Sequence, residues 1–407
     1  MDATDNWVEM PQVGSFTYKK CSYFYQRWGD PERPPLVLLH GFMQSSTSWE
    51  PIAASLKLHF CVYAVDFIGH GLSDKSKNPA RYTYEDMAAS IDYFLRKVVC
   101  RPSDSASKPS NLANKISRRV TSKPSKRAVS KPFKKTVSRL SKRAFPLLKS
   151  LRKSSGDCAG EQSIRAHVVG YSMGGRIALA LMKTSCDVLA SVILESCNLG
   201  CATDEEQQEA AKRNSAWVNR IREEGMEEFV NYWETLPLFE TQKELGFDKI
   251  LHFSRAANDP ECMALCLEGA GKQAMPLSSE TFTNIEKAIA FQRDETCSQT
   301  VAPKQDETCF REIAPQQDVR FQAATPKRDE TRSQANDSEA DSRKGIPVLY
   351  IYGDKDKKST LVAQKLSAVG ASVSAINVGH NVHLEAPMLY LREMQNFLVG
   401  IDQTLWD

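Results

Sequence analysis

The segment Ala166-His-Val-Val-Gly170-Tyr-Ser172-Met-Gly-Gly-Arg176 constrains this chain more than any other. An apolar run enters it and a helical pattern, Arg176 to Lys183, leaves it, so Ser172 falls where a strand gives way to a helix. Glycines at 170, 174 and 175 allow the strand and helix backbones to approach closely, and the serine is held on a tight turn at the helix N-terminus. A hydroxyl in that position is expected to do chemistry. Its usual companions are a histidine and an acid from elsewhere in the chain.

The runs Leu36–Leu39, Cys61–Val65, Ala166–Val169, Val192–Leu194, Val348–Tyr352 and Val373–Ile376 suit strands covered on both faces of a parallel sheet. Helical patterns such as Tyr84 to Val99 and Leu361 to Ala368 alternate with them, and Ser15 to Trp28 forms an antiparallel hairpin turning at Lys19-Lys20. The predicted class is α/β, an α/β-hydrolase fold with a mostly parallel sheet, an N-terminal hairpin and a small helical cap. That fold orders its site residues serine, acid, histidine. Tyr350-Ile-Tyr-Gly-Asp-Lys-Asp356 supplies Asp356 as the acid, with Asp354 as the alternative, and Val378-Gly-His380-Asn381 supplies His380 as the base, with His383 as the alternative. Two backbone N–H groups for an oxyanion hole are expected from Phe42, just after the first parallel strand, and from Met173. His40 and His70 lie in glycine-flanked turns, where packing or hydrogen bonding is the expected role.

Charge divides the 407 residues unevenly. From Arg101 to Lys153 there are seventeen Lys or Arg and one acid, Asp104, leaving −13 on the rest of a chain whose total is +3. This Ser-, Pro- and cation-rich stretch lacks the patterned apolar residues needed to offset ordering entropy. Near-copies of Asp-Glu-Thr at 294–296, 306–308 and 329–331 mark a second low-complexity segment, too short in period for a solenoid. The predicted organisation is a hydrolase core at 1–100 and 164–199, a disordered basic insertion at 101–163, a helical cap at 200–290, a disordered insertion at 291–345, and a C-terminal part of the core at 346–407. Peripheral contact with an anionic surface through 101–153 fits such charge. With Phe133 and Phe145 its only aromatics, base stacking and a stable nucleic-acid partner are not expected. Eleven scattered cysteines, no basic leader and no apolar run near the ~18 residues of a membrane span predict a cytoplasmic protein with reduced thiols. Cys262 and Cys266 have no second ligand pair at zinc-finger spacing, so no metal is expected.

Taken together, His40-Gly-Phe42, Asp66 to Ser73, Gly170 to Arg176, Glu195-Ser196, Pro237-Leu-Phe239 and Gly379-His-Asn381 resemble the 2-succinyl-6-hydroxy-2,4-cyclohexadiene-1-carboxylate synthase family of menaquinone biosynthesis. The likeness covers essentially all of the chain outside the two insertions. It implies a lyase that eliminates pyruvate from 2-succinyl-5-enolpyruvyl-6-hydroxy-3-cyclohexene-1-carboxylate by Ser-His-Asp base chemistry, with no cofactor. It also implies that Tyr171, Arg176, Trp233 and Arg255 bind the polycarboxylate substrate, arginine being suited by its bidentate fork. One departure is visible: where the family carries a further arginine between Gly200 and Trp217, an ungapped count reaches Ala210, with Lys212 and Arg213 close by. The same three residues also support acyl transfer or carbon–carbon bond hydrolysis, so a carboxylesterase or carbon–carbon hydrolase acting on a small carboxylate is the alternative.

Overall fold

A computed structural model describes residues 10–100, 164–246, 248–290 and 345–402. The two expected insertions, 101–163 and 291–345, lie outside the described residues apart from Gly345. Among those described, eight strands form one sheet: β1 (Gln12–Tyr18), β2 (Cys21–Trp28), β3 (Pro35–Leu39), β4 (Cys61–Val65), β5 (Ala166–Tyr171), β6 (Leu189–Glu195), β7 (Val348–Gly353) and β8 (Ser372–Ile376). Their order is β1-β2-β4-β3-β5-β6-β7-β8, with β2 antiparallel to both neighbours and every other pairing parallel.

The β1–β2 hairpin turns at Lys19 and Lys20, both at positive φ (45° and 69°), the mirror-image turn whose twist suits a two-residue hairpin. Two lysines occupy positions where glycine or asparagine is usual, and Lys19 Nζ is anchored 2.6 Å from the Asp86 carboxylate. In β3, β4 and β5 every residue is buried, as continuous apolar runs predict. β8 departs from that expectation. It is the sheet edge, its residues are mostly exposed, and Val373 lies open to solvent, so position in the sheet overrides an apolar-looking sequence.

Alternation along β3 divides the core, with Val37 and Leu39 facing one layer and Leu36 and Leu38 the other. The first layer is completed by helices Tyr84–Phe94 and Met173–Thr184, the second by Glu50–Leu56 and Pro387–Ile401. Between β6 and β7 the elements formed by the described residues are helices. The long helix, Asp204–Trp233, starts at Thr203, whose hydroxyl accepts the Glu206 N–H, and breaks at Gly225 (φ 87°). Arg222 fastens the first limb to helix Pro260–Ala270 through Glu261 and Glu268. No helix among the described residues is long and apolar enough to cross a membrane, and the eight cysteines described are free thiols.

Candidate active site

Ser172 joins β5 to helix Met173–Thr184 with φ 49° and ψ −102°, a left-handed conformation rare outside glycine. Close packing enforces it. A Cβ on Gly170 would lie 2.4 Å from the Gly174 carbonyl oxygen, and one on Gly174 would lie 2.2 Å from that of Leu39, so β5, the helix and the end of β3 meet backbone to backbone. The Ser172 N–H donates to the Glu195 carbonyl at the end of β6 (2.9 Å), which ties the turn to the neighbouring strand.

The side chains of Ser172, His380 and Asp356 form a continuous hydrogen-bonded chain. His380 Nδ1–H donates to Asp356 Oδ2 (2.7 Å), which leaves Nε2 to accept from Ser172 Oγ (3.2 Å). Asp356 is buried, which by itself would raise its pKa, but hydrogen bonds from His380 and Ser359 outweigh burial and hold the carboxyl down at about 2. Its Oδ1 caps the following helix through the Lys358 N–H, and its Oδ2 also accepts the Ser359 hydroxyl. Asp354 is exposed on the same turn and does not meet the histidine. His383 is fully buried, stacked on Trp49 with ring centroids 4.0 Å apart, and bonded to Glu195.

Phe42 follows β3 in the loop that Gly174 abuts, and Met173, as the first residue of its helix, keeps its N–H outside the intrahelical ladder. His40 and His70 support this loop from below. His40 Nδ1–H donates to the Gly41 carbonyl (2.7 Å) while its Nε2 accepts the Phe67 N–H (3.1 Å), and His70 Nδ1–H donates to the Ile68 carbonyl (3.0 Å). Burial drives both imidazoles below their ordinary pKa, so neither is a charged group. Asp66 braces the adjacent loop, accepting the N–H groups of Ser46 and Leu72.

The sequence model of proteins with the alpha/beta hydrolase fold matches residues 34–98 and 164–387. The chain belongs to the α/β hydrolase fold family. A Bacillus subtilis (strain 168) protein named as a 2-succinyl-6-hydroxy-2,4-cyclohexadiene-1-carboxylate synthase is 26% identical over 243 residues, which is 58% of this chain and 67% of that one. A Haemophilus influenzae protein of the same name is 45% identical over 77 residues, spanning 18% of this chain and 30% of its own length. The structure of MenH from S. aureus superposes with a TM-score of 0.58 at 18% identity, covering 93% of this chain and 98% of that one.

Within this α/β hydrolase the remaining expected residues differ in what surrounds them. Tyr171 is buried, its ring against Gly41 and 5.4 Å from the His380 ring, and burial keeps its hydroxyl neutral. Arg176, one turn past Ser172, donates from Nη1 to the Ala270 carbonyl (2.7 Å), and its buried Nε has no partner. No carboxylate pairs with it among the described residues, and burial lowers its pKa. Trp233 packs edge to face on Phe42 (5.7 Å) and against Trp217 and Phe239, forming an aromatic wall between cap and core. Arg255 is not an open cation. It is buried, with Nη1 paired to Glu234 (2.7 Å) and Nη2 donating to Gln242 (2.9 Å), so its fork already holds protein groups.

Ala210 is buried in the long cap helix, while Lys212 and Arg213 are exposed, Arg213 lying over the Trp217 ring at 5.5 Å. The nearby thiols are poor nucleophiles, because burial pushes both Cys197 and Cys266 up to about 12. Sequence reasoning missed Glu195 and Glu385 as parts of this site. Glu195 was visible as an acid ending an apolar run and, with Ser196, among the segments of the family resemblance, but with no role assigned, and Glu385 only as an acid five residues past His380.

Proposed function

We propose that this α/β-hydrolase-fold enzyme is a lyase that eliminates pyruvate from 2-succinyl-5-enolpyruvyl-6-hydroxy-3-cyclohexene-1-carboxylate. The observation carrying this reading is Arg176, a half-buried guanidinium beside the elbow with an unpartnered Nε and no carboxylate partner among the described residues. A half-buried cation whose Nε is buried and unpartnered suits an anionic group from a bound molecule. Partial likeness to relatives named for this reaction supports the same substrate class.

In this mechanism Asp356 orients His380 and fixes its proton on Nδ1, leaving Nε2 free to take the Ser172 proton. The Ser172 oxygen removes a proton from a ring carbon of the substrate, and that electron pair moves through the ring to form the new double bond. The carbon–oxygen bond to the enolpyruvyl group breaks, and the enolate leaves and is protonated to pyruvate. The N–H groups of Phe42 and Met173 and the Arg176 guanidinium hold the developing negative charge. Tyr171 and Trp233 shape the wall around it. The elimination passes through no acyl-enzyme. Reduced thiols throughout the described residues fit work in the cytoplasm.

A second reading, ordinary acyl transfer or carbon–carbon bond hydrolysis on a small carboxylate with Ser172 as nucleophile, is favoured by the cation count. Arg255 is already paired and position 210 is an alanine, so neither position offers a polycarboxylate an open cation. Pyruvate release by purified protein, beside Ser172→Ala and Arg176→Ala variants, separates the two. Release that collapses in both variants supports the lyase. Hydrolysis of short esters without pyruvate release makes the second reading the better one.

A further inference from the structure

His380 sits on a short loop, residues 379–381, that runs into helix Val382–Glu385, and the backbone N–H groups of residues 379, 381 and 383 point at two buried carboxylates. Glu385 reaches back over the histidine: its Oε2 accepts the Gly379 N–H (2.7 Å) and its Oε1 accepts the Asn381 N–H (3.2 Å), one on each side of His380. Glu195 holds the helical turn that follows, accepting the His383 N–H (3.0 Å) and the His383 Nδ1–H (2.8 Å to Oε2). The same residue's carbonyl takes the Ser172 N–H, so a single glutamate touches both the serine turn and the histidine loop. Neither carboxylate has a lysine or arginine partner among the described residues, although Glu195 is fully buried and Glu385 nearly so.

Burying a carboxylate is costly unless hydrogen bonds replace its water. Here the compensation comes from the backbone of the loop that carries the base. Crowding limits alternatives, because a Cβ on Gly379 would lie 2.0 Å from Thr241 Oγ1 and 3.1 Å from Glu385 Oε2, and one on Gly353 would lie 1.8 Å from the Gly379 carbonyl oxygen. The loop is thereby held between the end of β7, the cap and the two glutamates.

We propose that Glu385, together with Glu195, is a positioning residue. The pair sets the height and direction of the His380 imidazole relative to Ser172 by clamping the N–H groups of residues 379, 381 and 383. The inference rests on the reading of Ser172, His380 and Asp356 as the acid–base chain. Glu385→Gln keeps size but puts an NH2 against one of the two N–H groups, Glu385→Asp keeps the charge but is too short to span both, and Glu195→Gln loosens the far end.

The test compares these variants with wild type in two measurements on protein verified as folded by its melting transition. One is the downfield proton resonance of the His380 Nδ1–H bond to Asp356, assigned by its loss in His380→Ala. The other is the rate at which a small uncharged fluorophosphonate labels Ser172; there the Oγ–P bond forms, fluoride leaves, and the serine proton passes to His380 Nε2. Displacing a reacting group by about 1 Å can cost on the order of a hundredfold, so slowing of roughly tenfold to a hundredfold is expected in Glu385→Gln, less in Glu385→Asp, with the resonance shifted or broadened in both. Folded Glu385→Gln and Glu195→Gln proteins that keep the wild-type resonance and labelling rate overturn the proposal and leave the glutamates a purely structural role. A wild-type Ser172 that resists labelling, while Glu385→Gln still perturbs the resonance, upholds the clamp and counts against the acid–base reading.

Discussion

At Ser172 the backbone pays a conformational penalty of about 1–3 kcal/mol to hold φ at 49°. Glycine relieves that strain and alanine does not. Both Ser172→Gly and Ser172→Ala should abolish turnover, and the glycine variant should be the more stable of the two by about 1 kcal/mol in urea unfolding. Asp356 makes a different residue-level prediction. Its folded pKa of about 2 lies below the ordinary 3.8, so its contribution is fully present above pH 4 and is lost as pH falls through 2. That contribution is roughly 2 kcal/mol. An Asp356→Asn variant should lose this dependence, seen as a flatter stability curve between pH 4 and 2. The three residues of the hydrogen-bonded chain were legible because each follows an apolar run and stands within three residues of a glycine. Sequence left Asp354 and His383 as alternatives, and only the hydrogen bonds show which acid and which imidazole meet.

Elements, taken singly, explain why some glycines matter more than others. Gly174 stands where the elbow helix meets β3, and a Cβ there would lie 2.2 Å from a backbone oxygen that cannot move aside. Gly225 interrupts the long cap helix at φ 87° with nothing within 4 Å of an added Cβ. Gly174→Ala should therefore destabilise by about 3 kcal/mol or more and disturb Ser172, while Gly225→Ala should cost about 1–3 kcal/mol from backbone strain alone and leave Ser172 undisturbed. Thermal unfolding of the two variants side by side checks the difference. Gly174 was legible within its motif. Gly225 was not, because helical patterning continues on both sides of it and does not show the break at φ 87°. Likewise β8 looks like an interior strand until the sheet order makes it an edge.

For the molecule as a whole, acid sensitivity should begin well above the range of Asp356. His167 is buried in β5 with Nδ1 2.8 Å from Ser191 Oγ, and burial pushes its pKa down to about 4. The unfolded chain takes up that proton near pH 6.5 and the folded one does not, so stability is full above 6.5 and declines as pH falls to 4, by about 3 kcal/mol. Urea unfolding from pH 8 to 4 should show this slope, and His167→Gln should reduce it. Cap and core are coupled at the site itself: Asn258 Nδ2 donates to the Met43 carbonyl (3.1 Å), beside Phe42, and Trp233 lies on the Phe42 ring. The Asn258→Ala variant should alter reactivity at Ser172 with little loss of stability, compared by fluorophosphonate labelling and thermal unfolding.

The sequence by itself determined the α/β class, the hairpin at Lys19-Lys20 and the strand–serine–helix turn, because each follows from local periodicity or from a glycine that a tight turn requires. Tertiary structure decided the rest. It paired Arg255 with Glu234, left Arg176 without a carboxylate partner among the described residues, and brought Glu195 and Glu385 to the backbone around His380. Those outcomes depend on which groups meet across 21 to 188 residues of chain, or on how a short segment folds back on itself. A side chain's electrostatic state is set by the neighbours that replace its water, and linear spacing does not specify them.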